Sequence, residues 1–353
     1  MRKLKVGITC GDINGIGMEV IIKALNDTRL LNHSIPIIYG SSKIISYHKN
    51  IVEPENFRSQ NIKEASQASD DRINILNCWN EAVNIQLGEA TRESGSYAAM
   101  ALEACTNDAL DGKIDCMVTA PINKHAMSLA GFRYIGHTEY LRDRCQVEQV
   151  LMMMCSEEMK VSLSSGHIPV QNVSSVSSKE KLISQIKLLN STLRMDHGID
   201  KPRIAVLGIQ PHAGDNGAIG DEDERITKPA VAELKKEGEL VFGPYPADGF
   251  FGSLSYKKFD AIMAAYHDQG LIPFKMASFG KGVNMTCGLP IIRSSPDHGT
   301  GYDIAGKNAA DPSSFLSAYF MAMDAARNRT EYLKNHENPL RRNQALPSEE
   351  SAD

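Results

Sequence analysis

Five of the ten histidines in this chain sit beside Gly or Pro in turn-like contexts. They are Gly136-His137-Thr138, Gly166-His167-Ile168-Pro169, Pro211-His212-Ala213-Gly214, Tyr266-His267-Asp268 and Asp297-His298-Gly299. Three of them, His167, His212 and His267, follow apolar or small strand-like runs at 161–165, 204–210 and 261–266. In α/β sheets the carboxyl ends of strands face the ligand crevice. Three imidazoles on three strand ends could meet on one metal ion and leave a coordination position open for substrate. The long gaps between them are equally compatible with ordinary loop histidines.

Cations emerge from apolar runs at two places, Lys275 after Ile272-Pro273-Phe274 and Arg293 after Pro290-Ile291-Ile292. Such a cation is placed to bind a carboxylate or phosphate in a cleft, and Arg suits bidentate recognition best. The surrounding segment 269–301 also carries Lys281, Asn284, Asp297 and His298. Lys281 reads as a stem reaching solvent. Asp248, in a turn bounded by Phe250 and Phe251, is a candidate proton-transfer group, because apolar neighbours raise a carboxyl pKa. An Asx-turn is the commoner role for such a residue. The acidic run Asp221–Glu224 reads as a solvated helix approach favoured by the dipole, with an outer-shell role beside His212 as the alternative. Gly11–Gly17 lies between strand and helix, where backbone N–H groups can meet an anion. Its spacing is not G-x-G-x-x-G, so the dinucleotide fingerprint fails, and a tight β-to-α turn is the other reading.

The elements that must hold these residues follow from periodicity. Strands are expected at 5–9, 35–39, 72–78, 114–119, 203–209 and 259–265, and helices from 18 and over 96–110, 179–193, 227–236 and 312–327. This alternation predicts a mostly parallel α/β sheet. Runs 150–155 and 160–164 flank Ser156-Glu157-Glu158 and read as a hairpin, expected to project and serve a dimer interface. Residues 336–353 read as a polar, frayed tail.

The chain has 353 residues and a net charge of −5, enough for about two domains and a large core. The acidic balance argues against a nucleic-acid binder. Seven cysteines without a C-x-x-C pair argue against a disulfide framework or four-cysteine zinc site and fit a reducing compartment. With neither a signal-like N-terminus nor a membrane-length apolar run, a cytoplasmic location is expected.

Taken in order, eight motifs resemble one family over roughly residues 5–327. They are 11–17 with Glu19, Thr119–Lys124, Gly136–Glu139, Ser165–Pro169, Pro211–Gly214, Gly243-Pro244 through Asp248, Tyr266–Gly270, and Gly288 through Arg293 to Thr300. The chain is similar to the 4-hydroxythreonine-4-phosphate dehydrogenases of vitamin B6 biosynthesis. The resemblance implies an isocitrate/isopropylmalate-dehydrogenase-type fold, two α/β/α domains around a cleft and not a Rossmann domain. Approximate divisions are 1–125 with 280–335, and 126–279 with dimer-interface elements. It implies an NAD- or NADP-dependent, metal-requiring homodimer whose active site is completed across the interface, with no nucleic-acid or membrane partner. His167, His212 and His267 carry over as metal ligands, and His137, Thr138, Lys275, Asn284 and Arg293 as substrate-binding residues. Lys275 is also a catalytic candidate, with Asp248. Imidazole ligands suit Zn²⁺ best, with Mg²⁺, Mn²⁺ or Co²⁺ as substitutes. The implied reaction oxidises the 3-hydroxyl of 4-phosphooxy-L-threonine, and loss of CO2 then gives 3-amino-2-oxopropyl phosphate. A sub-family acting on 4-phospho-D-threonate or 4-phospho-D-erythronate shares these motifs. A related phosphate acyltransferase would need no three-histidine metal site. A non-catalytic, metal-stapled metabolite-binding protein is the reading from another class. The first loop departs from the family's G-D-P-A-G-I-G-P-E, with Ile13 and Met18 in place of the prolines, and the polar stretch 56–71 is longer than expected.

Overall fold

Strands buried on both faces read as almost unbroken apolar runs, because helices cover both sides of a parallel sheet. The computed structural model describes residues 2–278 and 280–337, so the expected tail lies outside the described residues beyond 337. Its strands are β1 (Leu4–Thr9), β2 (Ser34–Gly40), β3 (Ser59–Ile62), β4 (Ile73–Asn77), β5 (Cys116–Thr119) and β6 (Leu151–Cys155). They continue with β7 (Lys160–Leu163), β8 (Ile204–Leu207), β9 (Val241–Tyr245), β10 (Ala261–Ala264), β11 (Val283–Cys287) and β12 (Arg293–Pro296). All join one sheet in the order β3-β4-β2-β1-β5-β12-β11-β6-β7-β10-β8-β9. β5, β8 and β10 are buried at every position.

Two parallel runs, β3 through β12 and β7 through β9, meet at an antiparallel seam. β11 pairs antiparallel with both β12 and β6, and β6 pairs antiparallel with β7. The two runs therefore point in opposite directions. The β6–β7 hairpin forms as expected, but it does not project. β11 takes the outer edge of β6, and β10 pairs with β7, so both strands lie inside the sheet. The expected projection of the hairpin is corrected accordingly.

The long helices are capped where the sequence allows. Arg92–Leu110 starts at Thr91, whose hydroxyl accepts from the Ser94 N–H while the Ser94 hydroxyl accepts in return. Lys179–His197 starts at Ser178 and stops at Gly198, where φ is +64. Lys228–Lys236 tolerates Pro229 in its first turn, where the missing N–H costs nothing. Gly95 lets the helix Arg92–Leu110 touch the helix Lys124–Leu129, for a Cβ there would meet the Ala126 carbonyl oxygen at 2.0 Å. The polar stretch 56–71 contains β3, an edge strand paired with β4.

The glycine-rich turn spends its own donors. The Asn14 N–H donates to Asp12 Oδ1, Gly15 N–H to Asp12 O, and Ile16 N–H to Thr300 O, all in a buried segment. It is a tight β-to-α turn and not an open anion cradle. All seven cysteines are unpaired, and burial pushes the Cys78 and Cys155 thiols up to about 12, leaving them inert.

Candidate active site

Strand alternation sets the floor of the site. The Ser294 hydroxyl donates to Ala318 O on the helix Ser313–His336. Its neighbours Arg293 and Ser295 therefore face the other side of the sheet. Across the seam Ser295 lies opposite Asn284, and Asn284 opposite Met154. Arg293, Asn284 and Met154 consequently share one face, which floors a cleft of about 650 Å³.

Seven of the nine candidate residues from the sequence line this cleft: His137, Thr138, His167, His267, Lys275, Asn284 and Arg293. His137 and Thr138 begin the helix His137–Arg144. His267 begins the helix His267–Ser278, which also carries Lys275 two turns on. His212 and Asp248 face a neighbouring cavity of about 550 Å³, more apolar, with Phe251, Ile272 and Met276 in its wall. The two cavities flank the start of the helix His267–Ser278, since His267 lines the first and Asp268 the second.

Arg293 is 3% exposed. Its Nε and Nη2 donate to Thr119 Oγ1 at 3.0 and 2.7 Å, and Nη1 donates to Thr286 Oγ1 at 3.2 Å. Among the described residues it makes no ion pair with a carboxylate. Burial alone pulls its pKa from 12.5 down to about 10. Nearby, burial holds His137 well below the usual histidine range, with the Arg293 charge adding to the effect, so its imidazole is neutral. His137 Nε2 and Asn284 Oδ1 are both buried without a hydrogen-bond partner. Buried polar atoms in native proteins normally find partners. An unpaired cation beside two orphaned polar atoms is what a site for an anionic, hydrogen-bonding ligand needs.

The histidines occupy neighbouring strand ends because β7, β10 and β8 are adjacent in the sheet. The His167 and His267 rings stand 5.5 Å apart. Burial lowers the His167 pKa, with Lys124 and His267 adding smaller pushes, so it too is neutral. Asp268 Oδ1 lies 2.7 Å from His267 Nδ1, which leaves Nε2 as the free lone pair. These are suitable donors for a borderline divalent ion. His212 stands apart from them, and among the described residues no three His, Cys, Asp or Glu side chains are close enough to hold an ion. The loop 211–217 that carries it is strained. His212, Ala213, Asp215 and Asn216 all have φ between +43 and +55.

Asp297, which the sequence offers only as one member of the polar segment 269–301 and without a role, lines the same cleft. Its Oδ1 is 3.6 Å from Lys275 Nζ, and burial raises its pKa against the pull of that ammonium. Its place beside His298 in a polar stretch was visible, but nothing in the spacing tied it to Lys275.

A family model described as pyridoxal phosphate biosynthetic protein PdxA matches residues 32–322. The chain belongs to the PdxA family. A 4-hydroxythreonine-4-phosphate dehydrogenase of Bacteroides thetaiotaomicron is 43% identical over 97% of this chain and 94% of its own length. The crystal structure of a 4-hydroxythreonine-4-phosphate dehydrogenase from Klebsiella pneumoniae superposes with a TM-score of 0.81 at 34% identity. That match covers 92% of this chain and 98% of the other. A relative from Oceanobacillus iheyensis, named a putative D-threonate 4-phosphate dehydrogenase, is 37% identical over 92% of this chain and 98% of its own. PdxA membership agrees with the α/β sheet and with the eight ordered motifs.

Proposed function

We propose that this PdxA-family protein is a dehydrogenase that oxidises the 3-hydroxyl of 4-phosphooxy-L-threonine in vitamin B6 biosynthesis. The observation that carries the reading is the buried, unpaired Arg293 beside the orphaned His137 Nε2 and Asn284 Oδ1. The substrate loses a hydride to the nicotinamide of NAD⁺ or NADP⁺ and a proton to the protein. The resulting 3-keto acid releases CO2, which leaves 3-amino-2-oxopropyl phosphate.

The chain's own residues divide the work. Arg293 and Lys275 neutralise the substrate's anionic groups, which a desolvated cation does strongly. His137, Thr138 and Asn284 orient it by hydrogen bonds. Lys275, with Asp297 at 3.6 Å, can pass a proton within the cleft. Asp248 is the second acid/base candidate, from the His212 cavity. A divalent ion held by His167, His212 and His267, best Zn²⁺, with Mg²⁺, Mn²⁺ or Co²⁺ as substitutes, supplies Lewis-acid polarisation when bound.

We further propose a cytoplasmic homodimer with the site completed between subunits. Among the described residues no helix is long and apolar enough to cross a membrane. Ile272 and Met276, in the wall of the His212 cavity, are 58% and 82% exposed, as a face awaiting a partner would be. The similarity to a D-threonate 4-phosphate dehydrogenase favours one second reading, the same chemistry on 4-phospho-D-threonate.

Anaerobic NAD⁺ reduction by chelator-stripped, then Zn²⁺-reconstituted protein tests both. Metal-dependent turnover of 4-phosphooxy-L-threonine is the expected result. Turnover of 4-phospho-D-threonate alone would move the protein to the second reading, and turnover of neither would overturn both.

A further inference from the structure

A line of hydrogen bonds runs behind the three histidine loops. Ser165 donates through both its N–H and its hydroxyl to Ala265 O, at 3.1 and 2.6 Å. The Ala265 N–H donates to Gln269 Oε1 at 2.7 Å, and Gln269 Nε2 donates to Gly208 O at 2.7 Å. The next two N–H groups, of Ile209 and Gln210, donate to Asp223 Oδ1 and Oδ2 at 2.9 and 3.0 Å. Each loop is gripped two residues before its histidine, at Ser165, Ala265 and Gln210.

Asp223 lies within the acidic run 221–224, yet it is fully buried. Its carboxylate is spent on the backbone of the His212 loop, one oxygen to each N–H. A Cβ at Gly208 would stand 2.8 Å from Ala213 Cα and 3.3 Å from Asp223 Oδ2, so the loop folds directly back onto this contact. A run of non-glycine residues at positive φ persists only where its surroundings over-determine it. Asp223 and Gln269 are the buried or half-buried side chains that do so from behind.

We propose that Asp223 and Gln269 are positioning residues for the metal centre, Asp223 fixing the backbone of the His212 loop and Gln269 that of the His267 loop, in whichever subunit each histidine meets the ion. The proposal rests on the metal reading above. Partners that orient ligands typically account for roughly 10–100-fold in metal affinity.

The test is metal binding by the whole apo-protein, read by competition of Zn²⁺ with a chromogenic chelator and by the absorption spectrum of the Co²⁺ form. Asp223→Asn turns one acceptor into a donor facing a backbone N–H. Gln269→Met cuts the link between Ala265 and Gly208. Each is expected to weaken Zn²⁺ binding by about 10-fold or more and to change the Co²⁺ spectrum. Asp196→Asn is the control. It breaks an equally buried ion pair, with Arg329 at 2.6 Å, and lines neither cavity. It should lower thermal stability and leave metal affinity unchanged.

Wild-type affinity in both test variants, or an equal loss in Asp196→Asn, would overturn the proposal and leave the metal reading standing. Wild-type protein whose Zn²⁺ binding is unaffected by His167→Ala would overturn both. Should Asp223→Asn fail to fold, Gln269→Met decides by the same measure.

Discussion

Replacing Arg293 by Met separates the binding role of that residue from its structural one. Arg has five N–H donors. Three are spent on Thr119 and Thr286, which leaves two for a ligand. A hydrogen bond to a charged group contributes about 1.5–3 kcal/mol, so losing two costs about 3–6 kcal/mol of transition-state binding. At about 1.4 kcal/mol per decade, kcat/KM should fall by roughly 10²–10⁴. Stability should behave differently. The unfolded chain holds the guanidinium proton at 12.5 and the folded chain at about 10, so at neutral pH the charged form opposes folding. A drop of that size corresponds to about 3 kcal/mol, fully present below pH 10 and relieved only as pH rises towards 12.5. Met removes that penalty and forfeits three hydrogen bonds from a charged group, about 1.5–3 kcal/mol each. The bonds outweigh the penalty. Urea unfolding of the apo-protein should show a destabilisation of about 2–6 kcal/mol while steady-state kinetics collapse. A variant destabilised by more than that, or one retaining kcat/KM within threefold, would refute the account of a cation kept for its ligand.

Three further outcomes follow. If each site takes His167 and His212 from different subunits, mixing inactive His167→Ala and His212→Ala proteins should restore about a quarter of wild-type activity, since random exchange gives half heterodimers with one intact site each; no restoration would place these two histidines of a site on the same chain. His48 is fully buried, its Nε2 facing Ile13 O at 3.1 Å, and burial pulls its pKa down to about 4. Because the unfolded chain binds that proton near 6.5, stability should fall by about 1.4 kcal/mol per pH unit from 6.5 towards 4. Urea midpoints at successive pH values should show a shallower slope in His48→Gln, and an identical slope would contradict the assignment. Gly95→Ala gains about 1 kcal/mol of helix propensity but drives a Cβ into the Ala126 backbone at an overpacking cost of about 3 kcal/mol, so it should destabilise by about 2 kcal/mol in urea unfolding. A more stable variant would show that the two helices can part.

The parallel sheet was legible because β1, β2, β5, β8 and β10 are apolar runs of the right length. β11 and β12 were not, because Asn284, Thr286, Arg293 and Ser295 face the cleft and make those strands look like loop. The hairpin was legible as a hairpin, but its central position depended on β11. His137 and His267 looked like turn residues because each opens a helix just after a break, and the helical periodicity lies downstream of them. Asp223 read as solvated for a simple reason. Four consecutive acids look like a helix approach, and only tertiary structure shows that one of them turns inward. Seven candidate residues share the cleft because strand ends and one sheet face converge there, which spacing alone could not distinguish from scattered loops.

The position of β12 has a consequence for how the protein is made. Thr119 and Arg293 touch across 174 residues of chain. Synthesis runs at about 5–20 residues per second, so the edge of β5 waits roughly 10–35 s on the ribosome before its neighbour exists. Until then a strand buried at every position in the finished sheet has one unpaired backbone edge, the condition that invites intermolecular pairing. In the nascent first half that edge stays open, and the guanidinium at the cleft floor arrives with the strand that ends this exposure. Maturation of the ligand site and protection of the sheet edge are a single late event in the life of the chain.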